Sequence, residues 1–191
     1  MSPFDYAIGL VSILIGLALT DVAASLHRLL RLGRSVRWDG RVVLSVILII
    51  MTIVGMWFEI WMIRNVKAVL SFPFYFTLFL QFMLLYLLCA ACLPDEVGDK
   101  CDLGKFYASN TTYLWSLFGL FQAGFFFGWI YFAVPQYTHH TRMLLDGALL
   151  VLPVAISILL ILIRLRWVHY SALLILIAHH IYGYWTARLA A

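Results

Sequence analysis

The sequence predicts an all-α protein, a bundle of six transmembrane helices, and two features carry that prediction. Of 191 residues, 64% are hydrophobic and 12% are charged, which leaves too few polar side chains to cover a water-soluble fold. The apolar residues form long uninterrupted segments, which is typical of membrane helices, whereas a β-barrel alternates apolar and polar residues. A helix also pairs every backbone amide within one segment, as the water-free bilayer interior requires.

Six segments have the length of about 20 mostly apolar residues that a helix needs to cross the hydrocarbon core. They are residues 4–26, 42–63, 73–93, 113–134, 143–163 and 168–187. Little chain remains outside these spans, so we predict a single transmembrane domain over residues 1–191. The longest connection, residues 94–112, has room for at most a short surface helix.

Proline and tryptophan positions agree with these boundaries. Pro73 suits the first turn of span three, and Pro94 and Pro135 stop spans three and four. Pro153 lies inside span five, where it removes a helical hydrogen bond and is expected to produce a kink. The headgroup region favours indole rings, and every tryptophan lies near a predicted span end. These residues are Trp38, Trp115 and Trp167 on one side, and Trp57, Trp61, Trp129 and Trp185 on the other.

Basic residues divide unevenly between the two sides of the predicted bundle. Loops one, three and five hold nine Lys and Arg residues, and the other side holds four. The positive-inside rule therefore predicts that these loops are cytoplasmic and that both termini lie outside. The basic residues adjoin the spans, which makes anionic lipid a simpler partner than nucleic acid. Arg28, Arg31 and Arg34 are the candidate headgroup ligands, and the alternative is that they only set the topology.

Small residues predict how the helices meet. One stripe of span one is expected to be buried against another helix, and it comprises Gly9, Ser12, Gly16, Thr20, Ala23 and His27. Asp21, Ser25 and Arg28 form a second stripe, so span one is expected near the centre of the bundle. In span four, Gly124 and Gly128 form a GxxxG pattern that favours either packing within the chain or a homo-oligomer contact.

Two carboxylates lie inside predicted spans, Asp21 in span one and Glu59 in span two. A charged residue at a span centre costs about 2.5 to 3.5 kcal/mol on insertion scales, so each needs a partner or a wet cavity. The functional interpretation is proton or cation handling. The structural interpretation is an ion pair, with Arg28 for Asp21 and Arg64 for Glu59.

His179 and His180 fall close to the predicted midplane of span six. They could relay a proton, bind a metal or haem, or form hydrogen bonds with Gln81 or Gln122, which lie at similar depth in spans three and four. Adjacent helical residues point about 100° apart, so one metal held by both histidines is disfavoured. The sequence leaves any metal ligand set unassigned.

Redox chemistry is a further alternative, although no cofactor is expected. His27 and His169 both fall at the predicted inner boundary, the match in depth that bis-histidine haem ligation would need. Cys89 and Cys92 form a CxxC at the inner end of span three, with the spacing of thiol-exchange sites. The predicted side is the reducing cytoplasm, where packing thiols are the simpler interpretation.

Two stretches carry a family resemblance: Ser2-Pro-Phe-Asp-Tyr with the helix at residues 9–31, and Leu93-Pro-Asp-Glu with Lys105-Phe-Tyr-Ala-Ser-Asn. They resemble a family of small multi-pass bacterial inner-membrane proteins without an assigned activity. The resemblance implies a bacterial inner membrane and transfers no functional residue.

The function predicted from the sequence is transport or sensing of a small solute or proton through buried polar groups. A Walker loop, a dinucleotide glycine fingerprint and an HExxH motif are all missing from the sequence, which disfavours an enzyme. The alternatives are a non-enzymatic membrane subunit packed against a partner protein, and a haem or thiol redox protein.

Overall fold

The computed structural model describes residues 3–62, 72–95, 98, 100–132, 134 and 140–185. This part of the chain forms six helices, which confirms the predicted all-α bundle. They are α1 (Pro3–Leu32), α2 (Gly40–Met62), α3 (Phe72–Cys92), α4 (Leu103–Phe132), α5 (His140–Leu162) and α6 (Arg166–Trp185). Two short strands, β1 (Val36–Arg37) and β2 (Cys101–Asp102), lie between helices.

Five helices are long and apolar enough to cross a membrane, and they are α1 to α5. The remaining helix, α6, is long enough at 20 residues but less apolar, because it carries His169, His179 and His180 together with tyrosines. The length and composition of these helices are those of an integral membrane protein.

The start of α4 differs from the prediction. The helix begins at Leu103 instead of residue 113, so much of the expected long connection belongs to α4. Asp102 caps this helix, because its Oδ1 accepts a 3.0 Å hydrogen bond from the backbone N–H of Lys105. Leu103, Tyr107 and Thr111, spaced four residues apart, are all buried. The first turns of α4 therefore pack through one face. Because most of their other residues are polar, the sequence does not reveal that the helix begins this early.

The predicted position of α1 is wrong, because the helix lies at the edge of the bundle and packs mainly on α3. Its buried face consists of Val11, Ile15, Ala18, Val22, Ser25 and Leu29. The small-residue stripe expected to be buried faces outward: Gly9, Gly16, Thr20, Ala23 and His27 are exposed, and Ser12 is half-buried. Aliphatic side chains thus form the α1–α3 contact, and the glycines of α1 do not bring its backbone close to α3.

The starts of α2, α4 and α6 meet at one end of the bundle, which we call the junction end. Here β1 and β2 pair in parallel, with Val36 opposite Cys101. The two strands lead into α2 and α4, so their pairing holds the two helix N-termini side by side. Gly33, with a φ of 53°, allows the chain to turn from α1 toward β1.

An ion pair caps α2 at the junction end. Asp39 accepts hydrogen bonds from the backbone N–H of Arg41 at 2.9 Å and from its Nη2 at 2.8 Å. Arg41 is one of the nine basic residues that the sequence assigns to loops one, three and five. Its side chain is nevertheless only 5% exposed, and its guanidinium lies 4.8 Å from the centre of the Tyr107 ring. The neighbouring guanidinium holds the pKa of the Asp39 carboxyl below its usual range.

A directional hydrogen-bond chain continues inward from Tyr107. The Trp115 Nε1–H donates to the Tyr107 hydroxyl at 3.0 Å, and that hydroxyl lies 2.9 Å from Nδ1 of His169. The His169 Nε2 lies 2.8 Å from the carbonyl oxygen of Ile163, so Nε2 carries the hydrogen and Nδ1 accepts from Tyr107. A neutral His169 satisfies every contact. Trp115 is therefore a buried network residue and not the boundary residue that was predicted.

Glycines allow close approach of α4 to its neighbours. A Cβ at Gly119 would lie 3.1 Å from the Cβ of Ser157, and a Cβ at Gly147 would lie 2.9 Å from the Trp129 ring. Both contacts join α4 to α5. In the GxxxG pattern, Gly124 contacts Gln81 of α3, whereas Gly128 faces open space. The first glycine thus packs within the chain.

We predict that Asp39→Asn lowers the free energy of unfolding by about 2 to 3 kcal/mol near neutral pH, because it leaves the buried Arg41 guanidinium without a counter-charge. The folded carboxyl has the lower pKa, so its stabilisation is complete above about pH 4 and is lost as the pH falls further. Unfolding in detergent between pH 3 and 7 should show the wild-type and variant curves converging at the acidic end. Asp95→Asn, at an exposed carboxylate, is the control, and equal effects of the two variants would contradict the assignment.

Candidate functional site

Helices α2 and α6 run parallel, and two hydrogen-bonding contacts between side chains of the described residues join them away from the junction end. Gly40 contacts Tyr170, Thr52 contacts His180, and Gly55 contacts Tyr184, so partners advance in the same direction along both helices. We call this interface the α2–α6 seam. It comprises Thr52, Gly55 and Glu59 on α2, and Leu176, His180 and Tyr184 on α6.

His180 is buried near the middle of the seam and both of its ring nitrogens have partners. Its Nδ1 lies 3.0 Å from the carbonyl oxygen of Leu176, one helical turn earlier. Its Nε2 lies 3.3 Å from the Thr52 hydroxyl on α2. That hydroxyl is also 2.9 Å from the carbonyl oxygen of Leu48. Thr52 is 12 residues from the start of α2, which corresponds to a depth of about 18 Å.

The hydrogens available at this site depend on the charge of His180. The Leu176 carbonyl can only accept, so Nδ1 carries a hydrogen in either charge state. In the neutral imidazole, Nε2 is an acceptor, and the single hydrogen of Thr52 must choose between Nε2 and the Leu48 carbonyl. In the imidazolium, Nε2 donates to Thr52, which then donates to Leu48. The protonated ring therefore satisfies three contacts and the neutral ring two.

Glu59 lies farther along the seam, toward the end opposite the junction. Its Oε1 accepts a 3.1 Å hydrogen bond from the Tyr184 hydroxyl. The Tyr184 phenol passes over Gly55, where any Cβ would overlap it. The rings of Tyr184 and His180 have centroids 6.2 Å apart. Tyr184 thus stands between the imidazole and the carboxylate.

Few other titratable groups face the seam. The ring of His179 lies edge-on to His180 at 5.9 Å and is half-buried. No titratable side chain occurs in residues 42–58 of α2 or in residues 147–162 of α5, which also packs on α6. Helix α4 contacts α6 as well, through Tyr107 at the junction end. Of the described titratable side chains, His179 and Tyr184 lie next to His180, and Glu59 lies beyond Tyr184.

The two predicted glutamines lie in another interface. The Nε2 of Gln81 donates a 2.5 Å hydrogen bond to the carbonyl oxygen of Phe121, across the α3–α4 contact. Gln122 is buried on α4. Since His180 bonds with Thr52 and Leu176, the expected histidine–glutamine hydrogen bond does not form in the structure.

Asp21 is not part of the seam, because it lies on α1, which packs mainly on α3. It is half-buried, and its charge acts on the buried thiols of Cys89 and Cys92 across the α1–α3 contact. The proposed ion pair with Arg28 is absent between these two described residues, and Arg28 donates instead to the Ser25 hydroxyl at 2.8 Å. The predicted partner of Glu59, Arg64, lies outside the described residues.

The haem and metal hypotheses gain no support from the geometry. His27 is exposed on α1, whereas His169 is buried with both ring nitrogens hydrogen-bonded, so iron ligation would have to break one of those bonds. In the described ranges, no group of three or more His, Cys, Asp or Glu side chains converges as metal ligands would.

One cavity among the described residues is too small for an organic solute. A cavity of about 10 Å³ lies between α2, α3 and α4, near Ser45, Leu88 and Phe118. That volume is about the minimum for one water molecule. The chain matches no protein-family model, no curated protein and no solved structure. Functional inference therefore depends on the chemistry of the seam.

Thr52, Gly55 and Tyr184 were missed in the sequence, although a signal for them exists. Thr52, Gly55 and Glu59 follow the i, i+3, i+7 spacing of one helix face, and His180 and Tyr184 follow the i, i+4 spacing. Each set alone is common in membrane helices. Only the parallel pairing of α2 with α6 brings the two faces together.

We predict that Gly55→Ala displaces the Tyr184 phenol, breaks its hydrogen bond to Glu59 and lowers stability by about 1 to 2 kcal/mol. Thermal unfolding and the ultraviolet resonance Raman signal of tyrosine hydrogen bonding provide the measurement. Gly16→Ala, where a Cβ meets open space, is the matched control and should be neutral or stabilising. Equal effects of the two changes would contradict the contact described for Gly55.

Proposed function

We propose that this integral membrane protein is proton-responsive and that His180 is the group that binds the proton. The observation that carries the proposal is the position of the Thr52 hydroxyl, 3.3 Å from His180 Nε2 and 2.9 Å from the Leu48 carbonyl. Rotation of this one hydroxyl accommodates both charge states of the imidazole. A buried histidine with a purely structural role needs only one state, as His169 illustrates.

The rest of the seam supports proton exchange with one membrane face. Tyr184 and Glu59 extend from His180 toward the ends of α2 and α6, where Glu59 is partly exposed. A carboxylate and a phenol are groups that pass protons between water and a buried base. The positive-inside rule places this end outside the cytoplasm, and the family resemblance favours a bacterial inner membrane, so the proposed response is to external pH.

The hydrogen bonds of the seam support proton sensing more directly than solute transport. The cavity of about 10 Å³ cannot hold an organic solute, whereas a proton needs only a base and a hydrogen-bond path. Protonation lets Thr52 bond to His180 and to Leu48 at the same time, so it strengthens the contact of α6 with α2. The response is therefore a change in helix packing, which a membrane protein can transmit without a pore.

We expect ¹⁵N NMR of histidine-labelled protein in nanodiscs to show His180 with a proton on both nitrogens at pH 5 and on one nitrogen at pH 8. In Thr52→Val, which removes the acceptor for Nε2–H, His180 should keep the neutral spectrum throughout this range. His180→Gln assigns the signal, and His140→Gln, at an exposed histidine, is the control. A His180 spectrum that does not change with pH in the wild type would refute the proposal.

The same chemistry predicts a pH-dependent stability difference. Protonated His180 lets Thr52 form one hydrogen bond more than the neutral ring does, so the stability lost in Thr52→Val should be about 0.6 to 1 kcal/mol greater at pH 5 than at pH 8. Chemical unfolding in mixed micelles measures this difference. Thr77→Val, at an exposed threonine that bonds within its own helix to the Pro73 carbonyl, should show no such trend. A Thr52→Val penalty that is the same at both pH values would count against the proposed toggle.

A further inference from the structure

We infer that an anionic phospholipid binds the exposed face of α1 near the junction end. Its phosphate would contact Arg28, Arg31 and Arg34, and its acyl chains would lie along Gly16, Thr20 and Ala23. This site lies on α1, outside the α2–α6 seam, and does not depend on the proton proposal.

The headgroup part of the site consists of three exposed arginines that follow one another closely in the sequence at the junction end of α1. Arg28, Arg31 and Arg34 are all exposed. Among the described residues the ion pairs join Arg37 to Asp102 and Arg41 to Asp39, so the three arginines have no carboxylate partner. Arg28 uses one donor on the Ser25 hydroxyl and keeps the others. A guanidinium matches phosphate oxygens through paired N–H donors, and such a cluster attracts anionic headgroups.

The acyl-chain part of the site is a shallow groove along the same helix, turned about 60° from Arg31 and about 120° from Arg28 around the helix axis. Gly16, Thr20 and Ala23 share one exposed stripe, and a Cβ at Gly16 would meet no atom within 4 Å. The exposed side chains of Leu17 and Leu19 flank this stripe, about 100° and 60° from Gly16 around the helix. The Thr20 hydroxyl is satisfied by the Gly16 carbonyl at 2.7 Å, so the groove presents apolar surface to a lipid chain.

The dimensions of this face fit one leaflet. Arg28 and Gly16 are 12 residues apart, which corresponds to about 18 Å along the helix. Half of the hydrocarbon core is about 15 Å thick. A phospholipid with its phosphate at the arginines therefore has chains that end near Gly16.

Charge argues against a second copy of the chain as the occupant. In a parallel two-fold pair, this face would bring both sets of three arginines together, and like charges repel strongly away from bulk water. An anionic headgroup instead neutralises them. A foreign transmembrane helix is the competing occupant, and the experiment below distinguishes it.

The first test measures phospholipid binding to the detergent-purified chain by native mass spectrometry, with phosphatidylglycerol and phosphatidylcholine as probes. We expect wild-type protein to prefer phosphatidylglycerol, and Arg28→Gln/Arg31→Gln/Arg34→Gln to bind it at least tenfold more weakly. The matched control removes the same charge elsewhere at the junction end, in Lys105→Gln/Arg164→Gln/Arg166→Gln, and should change binding less than twofold. Equal losses in the two triple variants would mean diffuse attraction without a site, and would overturn the inference.

The second test addresses the groove without changing charge. Gly16→Leu/Ala23→Leu should weaken phosphatidylglycerol binding at least threefold, whereas Ala155→Leu/Ala178→Leu, at exposed alanines of α5 and α6, should not. All four sites are exposed, and circular dichroism verifies that each variant keeps its helices. Glycerophosphoglycerol, the headgroup without chains, should not displace the lipid. If glycerophosphoglycerol displaces the lipid, the site binds an anion and not a lipid. If a foreign subunit co-purifies with the wild type and is lost in Gly16→Leu/Ala23→Leu while lipid binding is unchanged, the groove binds a protein partner.

Discussion

The absence of water inside a bilayer is the constraint on which this structure depends. A polar side chain in that region must find its hydrogen-bond partner within the protein, and in the described ranges no buried side-chain nitrogen or oxygen lacks one. Threonine and serine hydroxyls satisfy themselves on the carbonyl four residues earlier, as Thr52 and Ser157 do. Larger polar groups need a second helix, so they determine which helices pair.

This constraint separates two kinds of buried histidine. His169 at the junction has a donor on one side and an acceptor on the other, and one charge state satisfies both. His180 faces a carbonyl and a hydroxyl whose hydrogen can point either way. The hydrogen-bond partners of His169 therefore suit one charge state of the imidazole, whereas those of His180, which is similarly buried, suit two. The difference lies in the partner, since His169 faces a phenol that already accepts from Trp115, whereas His180 faces a hydroxyl that also reaches the Leu48 carbonyl.

Composition and segment length predict the number and class of the helices because insertion depends on summed hydrophobicity, which is a local property. Glu59 and His180 were likewise identified as candidates because polar residues inside apolar segments are conspicuous. The pairing of helices was not predictable in this way. The exposed stripe with Gly16 and the buried Arg41 both show that similar residues can face lipid or protein, and only the contacts between distant segments decide which.

The parallel pairing of β1 with β2 joins residues that are about 65 positions apart in the sequence. Translation at 5 to 20 residues per second would separate their synthesis by roughly 3 to 13 seconds. Until Asp102 emerges and α4 can begin, the cap of α2 has no strand beside it and the guanidinium of Arg41 has no phenol to cover it. The junction therefore closes late during biogenesis, and the first three helices must remain in the membrane for seconds before their polar end is sealed.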